Sequence, residues 1–91
     1  MEASDVREMY AERIRSYVFE NFVMTGSPED IPLEESLVDL EILDSFAIVE
    51  VATWVEKEFK VTIEDNEIVR ENFGSIGLMA QFTLRKQGIL V

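Results

Sequence analysis

The sequence predicts an all-α domain with four helices and one long loop between the first and the second. Two observations lead to this prediction. Apolar residues recur at steps of three and four in separate segments, as on one face of a helix, and glycine, proline or polar cap residues lie between these segments. A chain of 91 residues is long enough for one modest hydrophobic core and too short for two. We therefore expect residues 1–91 to form a single domain.

The first helix is expected over about residues 4–22, with Ser4 as its N-cap. The Thr-Gly-Ser-Pro sequence of residues 25–28 then ends it, because glycine and proline disfavour a continued helix. The apolar face of this helix would consist of Val6, Tyr10, Ile14, Tyr17, Val18 and Phe22.

The loop from residue 24 to residue 44 is rich in acidic residues but also contains regularly spaced apolar ones. A connection of this length is unusual in a compact domain unless its apolar side chains hold it against the helices. We expect that role for Ile31, Leu33, Leu37, Leu40, Ile42 and Leu43.

The second helix is expected over about residues 45–59 and begins where the pair Asp44-Ser45 interrupts an apolar run. Either residue can be the N-cap, because both side chains offer an oxygen to the unpaired N–H groups of the first turn. Ser45 would then lie at the positive end of the helix dipole. The core face would consist of Val49, Ala52, Val55 and Phe59, which follow one another at steps of three and four.

Two shorter helices follow. The third is expected over about residues 64–72, after a break at the β-branched residues 61–63, and the fourth over about residues 75–87. The Asn-Phe-Gly-Ser sequence of residues 72–75 supplies the stop and the cap between them, and Gly88 closes the fourth helix.

The charge of the chain disfavours nucleic acid and anionic membranes as partners. It is −11, from 19 Asp and Glu against 8 Lys and Arg, and such a charge favours basic partner surfaces. No segment is apolar over the length that a bilayer requires, and the acidic N-terminus does not have the apolar core of a secretory signal. Cysteine is absent, which is compatible with a reducing compartment. We therefore expect a cytoplasmic protein without stable membrane insertion.

The composition also disfavours an enzyme and a metal site. Without histidine and cysteine, a Ser-His-Asp or Cys-His nucleophile cannot be assembled, and the commonest metal ligands are missing. Asp39 and Glu50 occupy the first and twelfth places of an EF-hand-length window. Leu43 and Asp44 break the pattern inside it, since one replaces an oxygen ligand and the other the turn glycine. We expect no catalytic residues and no metal.

The residues around Ser45 resemble a known family. The Ile-Leu-Asp-Ser-Phe sequence of residues 42–46, followed by Val49, Glu50 and residues 56–59, is similar to the attachment-site segment of acyl and peptidyl carrier proteins. The similarity extends over roughly residues 5–86 and is closest in pattern to small stand-alone acyl or aminoacyl carriers. The family often has glycine where this chain has Glu41, so the turn before Ser45 is expected to differ or to need another backbone conformation.

This resemblance implies the four-helix carrier bundle, with a long first loop and a short third helix. It also implies that Ser45 bears a covalent 4′-phosphopantetheine arm derived from coenzyme A, with Asp44 as motif neighbour and helix cap. The phosphodiester would lie at a helix N-terminus, where free N–H groups favour an anion. An Asp-Ser pair before a helix is by itself usually only a cap. The surrounding similarity favours the attachment site.

A second stripe on the second helix, Phe46, Glu50, Thr53 and Lys57, lies beside Ser45 on the flank away from the core. In carriers the corresponding face docks partner enzymes, so the resemblance implies an aromatic anchor with a charged rim. Phe46 can equally turn inward, and the sequence leaves both orientations open. The implied partners are a phosphopantetheinyl transferase, an acyl- or aminoacyl-activating ligase, and a downstream acyltransferase or synthase.

The function expected from this resemblance is that of a stand-alone, monomeric carrier that shuttles acyl or aminoacyl thioesters in specialised metabolism. A D-alanyl carrier and a fatty-acid-type carrier are alternatives within the family. Lys57 departs from the more uniformly acidic helices of fatty-acid carriers. An unmodified acidic helical module that binds a basic partner is an alternative outside the family, and it explains the charge and the amphipathic stripes equally well.

Overall fold

The computed structural model describes residues 3–23 and 25–89 of the chain. Within these ranges it contains helices and loops but no β-strand, which confirms the predicted all-α class with four α-helices. The α-helices are α1 (Ala3–Val18), α2 (Ser45–Phe59), α3 (Arg70–Phe73) and α4 (Ile76–Lys86). Short helices of other types cover Phe19–Val23, Pro28–Asp30 and Asp65–Glu67.

One hydrophobic core joins the four α-helices and the first loop. Burying each large aliphatic side chain of this kind contributes about 1.5–3 kcal/mol, so the core is the main source of stability. Its fully buried members come from every α-helix or its flanking loop and include Ile14, Val18, Leu37, Val51, Val55, Phe73, Ile76, Met79 and Leu84.

Aromatic contacts fix α2 against α1. The Tyr10 ring lies 4.4 Å from the Phe59 ring, and Tyr17 stacks on Trp54 with ring centroids 4.3 Å apart. The Arg13 guanidinium lies 4.7 Å from the centre of the Phe59 ring. Because the early part of α1 meets the end of α2, the two helices are antiparallel.

The first helix differs at both ends from the sequence prediction of residues 4–22. Ser4, expected as the N-cap, lies inside the helix, which already includes Ala3, a strong helix former. At the other end the α-helix stops at Val18 and continues as a π-helix over Phe19–Val23. There the Asn21 side chain donates to the Tyr17 carbonyl at 2.9 Å, the oxygen that an α-helical Asn21 N–H would use.

The loop between α1 and α2 is held against the bundle by apolar side chains and backbone bonds. Leu33 and Ile42 are half-buried, but Leu40 is 44% exposed, so its predicted role in holding the loop is wrong. The Gly77 N–H donates to the Leu33 carbonyl at 2.7 Å, which ties the loop to the first turn of α4. Residue 24, the first of the predicted loop, lies outside the described residues. The fully buried members of the loop are Ile31, Leu37 and Leu43.

The third helix is shorter than the predicted residues 64–72. The segment forms a single turn over Asp65–Glu67, then an extended residue, Val69, with φ −129° and ψ 166°, and only then α3. β-branched Val69 favours extended backbone, and buried Phe73 fixes the position of α3. The fourth helix begins after Ser75 as predicted.

Candidate functional site

Ser45 is the first residue of α2, and Asp44 precedes it as the N-cap. The Asp44 backbone is extended, with φ −101° and ψ −175°, and its Oδ1 accepts a hydrogen bond from the Ala47 N–H at 2.9 Å. Of the two cap candidates in the sequence, Asp44 therefore caps the helix. The Ser45 side chain is exposed and is not used for capping. Its hydroxyl is available for chemistry at the positive end of the helix dipole.

A tight turn over residues 36–42 leads to this helix start. The Glu41 N–H donates to the Val38 carbonyl at 3.0 Å and the Ile42 N–H to the Leu37 carbonyl at 2.9 Å, the two bonds of a Schellman motif. Glu41 has a φ of 60°, so it adopts the left-handed conformation that glycine adopts at no cost. For a residue with a side chain this costs about 1–2 kcal/mol. The turn therefore keeps the shape suited to glycine, with Glu41 under strain.

A groove of about 350 Å³ opens beside Ser45. Its walls come from the 36–38 part of the loop, the first turn of α2 and residues 68–74, and most of them are apolar. The Leu37 N–H donates to the Gly74 carbonyl at 3.0 Å, which joins two of these walls. The groove is lined by Ser36, Val38, Ser45, Ile48, Val49, Ile68, Val69, Arg70, Phe73 and Gly74.

Arg70 is the single cationic side chain that lines the groove in the described part of the chain. Its Nη2 lies 2.5 Å from Asp39 Oδ2 and 3.4 Å from Ser36 Oγ. The Ser36 hydroxyl also accepts the Asp39 N–H at 3.2 Å. Sequence patterns do not indicate Ser36 and Arg70 as groove residues, because the contacts of Arg70 with Ser36 and Asp39 span more than thirty positions.

The predicted docking stripe lies beside the groove on the exposed side of α2. Phe46 is 83% exposed, so of its two possible orientations the structure shows the outward one. Glu50, Thr53 and Lys57 are exposed as well, and the Thr53 hydroxyl donates to the Val49 carbonyl at 3.0 Å. The four residues form one continuous surface next to Ser45.

Val49 is not in the core, contrary to the sequence prediction. It is 49% exposed and lines the groove, while Ala47 and Val51 are buried instead. The helix is rotated so that positions 47, 51, 55 and 59, spaced by one turn, face the bundle. Of the core face that the sequence predicts, Ala52, Val55 and Phe59 are buried.

Among the described residues, the carboxyl groups of Glu29 and Glu67 have a lowered pKa, and neither lines the groove. The backbone N–H of Glu64 and then Lys86 lower the pKa of Glu67 by hydrogen bonding to its charged form. The Ser27 hydroxyl and a backbone bond lower the pKa of Glu29. Both residues stabilise local turns.

Residues 3–23 and 25–89 contain neither a membrane-spanning helix nor a cluster of metal-ligating side chains. No helix there is long and apolar enough to cross a membrane. No group of three or more His, Cys, Asp or Glu side chains in these ranges is arranged to hold a metal ion.

The chain is similar to known carrier proteins in sequence and in structure. The family model described as the phosphopantetheine attachment site matches residues 23–83, which is more than half of the chain. A solved structure of KstB-PCP in its apo form, a peptidyl carrier protein, superposes with a TM-score of 0.77 at 27% sequence identity, covering 93% of each chain. No curated protein sequence matches the chain.

The site fits a covalent phosphopantetheine group. It offers an exposed hydroxyl at a helix N-terminus, where N–H groups and the dipole favour a phosphodiester. The adjoining groove is apolar with polar side chains at Ser36, Ser45 and Arg70, which suits an arm that combines methylene, methyl and amide groups.

Members of the matched family are carriers that perform no catalysis themselves, and their cofactor is covalent 4′-phosphopantetheine. The family model matches residues 23–83 of this chain, and the chain has the same fold as the peptidyl carrier protein. This chain belongs to the phosphopantetheine attachment-site family and is a phosphopantetheine carrier, not an enzyme.

Proposed function

We propose that Ser45 bears the phosphopantetheine arm and that the protein shuttles acyl or aminoacyl thioesters between enzymes of specialised metabolism. The observation that supports this proposal best is the exposed Ser45 hydroxyl at the first residue of α2, with capping left to Asp44. The position also lies within the region that the family model matches.

In the attachment reaction this chain supplies the nucleophile, the Ser45 hydroxyl, and the partial positive charge of the α2 N-terminus. Ser45 Oγ forms a bond to a phosphorus of coenzyme A, and the bond from that phosphorus to the nucleotide phosphate breaks. The hydroxyl proton goes to a base in the complex with the transferase, and adenosine 3′,5′-bisphosphate leaves with the electron pair of the broken bond. The N-terminus of α2 stabilises the anion that remains on Ser45.

The arm supplies a terminal thiol, on which the cargo is held as a thioester. This chain contains no cysteine, so no thiol of its own competes for the cargo. The groove beside Ser45 gives the apolar part of the arm a place to lie out of water.

We propose the stripe Phe46, Glu50, Thr53 and Lys57 as the docking surface for partner enzymes. Phe46 is a large exposed aromatic side chain next to the reactive hydroxyl, as expected of an interface anchor. Glu50 and the chain's net charge of −11 would steer encounters with basic surfaces. The proposed partners are a phosphopantetheinyl transferase, an acyl- or aminoacyl-activating ligase, and a downstream acyltransferase or synthase.

An aminoacyl or related cargo is favoured by the similarity to KstB-PCP, a peptidyl carrier protein. Lys57 supports the same preference over a fatty-acid-type carrier, since it interrupts the acidic face of α2. A D-alanyl carrier remains the alternative within the family. Monomeric state and cytoplasmic location are part of the same proposal.

Loading assays test the proposal. The arm-bearing protein is offered to aminoacyl-, D-alanyl- and long-chain fatty-acyl-activating ligases, and the gain in mass that hydroxylamine reverses is measured. Ser45→Ala, treated in the same way, is the control. We expect loading by aminoacyl-activating ligases and none of the variant. Loading by the fatty-acyl ligase alone would contradict the cargo class, and no loading by ligases that load their own carriers would contradict the shuttle.

A further inference from the structure

The Arg70 side chain reaches across one side of the groove beside Ser45. Arg70 begins α3, and its guanidinium contacts Asp39 and Ser36 on the opposite, loop wall. A backbone bond joins the same walls, from the Leu37 N–H to the Gly74 carbonyl at 3.0 Å. The loop and α3 are therefore joined by one backbone hydrogen bond, from Leu37 to Gly74, and by the Arg70 side chain.

The Arg70–Asp39 ion pair is easily exchanged. Their side chains are 68% and 63% exposed, and an ion pair between solvated side chains contributes only about 0–1 kcal/mol. A guanidinium binds phosphate oxygens with two parallel hydrogen bonds, which favours a phosphate over an exposed carboxylate of poorer geometry. A new anion in the groove would thus compete directly with Asp39.

Attachment of the arm to Ser45 would add such an anion to a residue that lines the groove. Ser45 and Arg70 line the same groove of about 350 Å³, and no other cationic side chain lines it in the described residues. Ser36 Oγ, at 3.4 Å from the guanidinium, adds a hydroxyl donor at the same corner. Ser45 is also the first residue of α2, where unpaired N–H groups favour an anion.

We propose that Arg70, assisted by Ser36, binds the phosphodiester on Ser45, and that it releases Asp39 when it does so. The proposal rests on attachment at Ser45. In the unmodified protein Arg70 holds the loop to α3, and in the modified protein it holds the phosphodiester against the groove. The exposed loop residue Val38, next to Asp39, therefore belongs to a segment that is tethered differently in the two forms.

Phosphorus NMR of the arm-bearing protein tests this assignment. The parent is compared with Arg70→Gln, Arg70→Lys and Arg85→Gln. The last is a matched control, because Arg85 hydrogen-bonds Asn72 and does not line the groove. We expect the phosphodiester resonance to shift in Arg70→Gln, to stay near the parent position in Arg70→Lys, and to be unchanged in Arg85→Gln. The difference between parent and Arg70→Gln should shrink at high salt.

The amide resonance of Asp39 gives an independent readout in the same samples. It should move between the unmodified and modified parent, and the movement should be absent in Arg70→Gln. An unshifted phosphodiester resonance in Arg70→Gln would overturn the Arg70 assignment while leaving Ser45 as the attachment residue. A parent that shows no phosphodiester resonance after treatment would overturn both proposals.

Discussion

Helices α2 and α4 each have a serine at their start, and the two serines have opposite environments. At α4, Ser75 is the cap itself, is only 3% exposed, and accepts the Leu78 N–H at 3.1 Å. At α2, Asp44 is the cap and Ser45 lies one residue later, exposed. The comparison shows how a serine hydroxyl is kept available at a helix N-terminus. A neighbouring carboxylate takes over capping, and the serine moves to the first helical position.

The residues that follow the two serines differ in the same way. Ile76 is fully buried, whereas Phe46 is 83% exposed. The start of α4 is thus built into the core, and the start of α2 is directed to the surface. Substitutions at the two helix starts should separate stability from function.

The largest expected effect is on stability at Ile76. Ile76→Ala removes fully buried methylene groups and should lower the free energy of unfolding by about 2–5 kcal/mol. Phe46→Ala should change it by less than about 0.5 kcal/mol. In transferase kinetics, loss of the Phe46 anchor should raise KM roughly five- to thirtyfold, which corresponds to about 1–2 kcal/mol. Urea unfolding and transferase kinetics measure the two effects. A large loss of stability in Phe46→Ala would contradict the outward placement.

The caps come next in size. Ser75→Ala should cost about 1–2 kcal/mol and Asp44→Ala about 1 kcal/mol, because each removes the bond to an unpaired N–H of the first turn. Ser45→Ala should be within about 0.5 kcal/mol of the parent in urea unfolding. Asp44→Asn is the matched control, since asparagine caps about as well as aspartate. A cost for Ser45→Ala equal to that for Ser75→Ala would show that Ser45 caps α2.

Glu41 extends the comparison to the turn that precedes α2, because its positive φ makes that turn strained. Glu41→Gly should raise the free energy of unfolding by up to about 1 kcal/mol, since glycine adopts a φ of 60° without strain. Glu41→Ala retains the Cβ atom and should show no such gain. Urea unfolding compares the three proteins. Destabilisation by glycine would mean that the Glu41 side chain makes a contact that outweighs the strain.

The smallest expected effect is on the pH dependence of stability and comes from the Glu67 carboxylate. The Glu67 carboxylate accepts the Glu64 N–H, and its pKa is lowered from 4.5. A lowered pKa in the folded state gives stability that is present above pH 4.5 and lost as the pH falls through the folded value. Glu67→Gln should therefore lose less stability than the parent between pH 7 and strong acid. If Glu67→Gln and the parent show the same pH dependence of urea unfolding, the Glu67 carboxylate does not contribute to stability in this way.

Local signals in the sequence were sufficient to predict the start of α2 and the unusual turn before it. A capping pair followed by helical spacing places the start of α2, and the missing glycine at residue 41 marks the turn that is strained. The exposure of Val49 was not predictable, since its spacing fits the apolar repeat as well as that of Val51 does.

The remaining differences come from tertiary contacts. The third helix divides because Glu64 and Glu67 close their own turn and buried Phe73 sets the position of α3. Arg70 gives no local signal, because its partner Asp39 is 31 residues away and only the folded chain brings them together. Leu40 repeats the apolar spacing of the loop, yet the tight turn directs it to solvent.

The most direct test of the account is the intact mass of three proteins after incubation with coenzyme A and a broad-specificity phosphopantetheinyl transferase. These are the parent, Ser45→Ala and Ser36→Ala, the last being a serine of the same groove outside the attachment motif. We predict that the parent and Ser36→Ala each gain one phosphopantetheine and that Ser45→Ala gains none. A modified Ser45→Ala, or an unmodified parent beside a carrier that is modified under the same conditions, would contradict the assignment of Ser45 as the attachment residue.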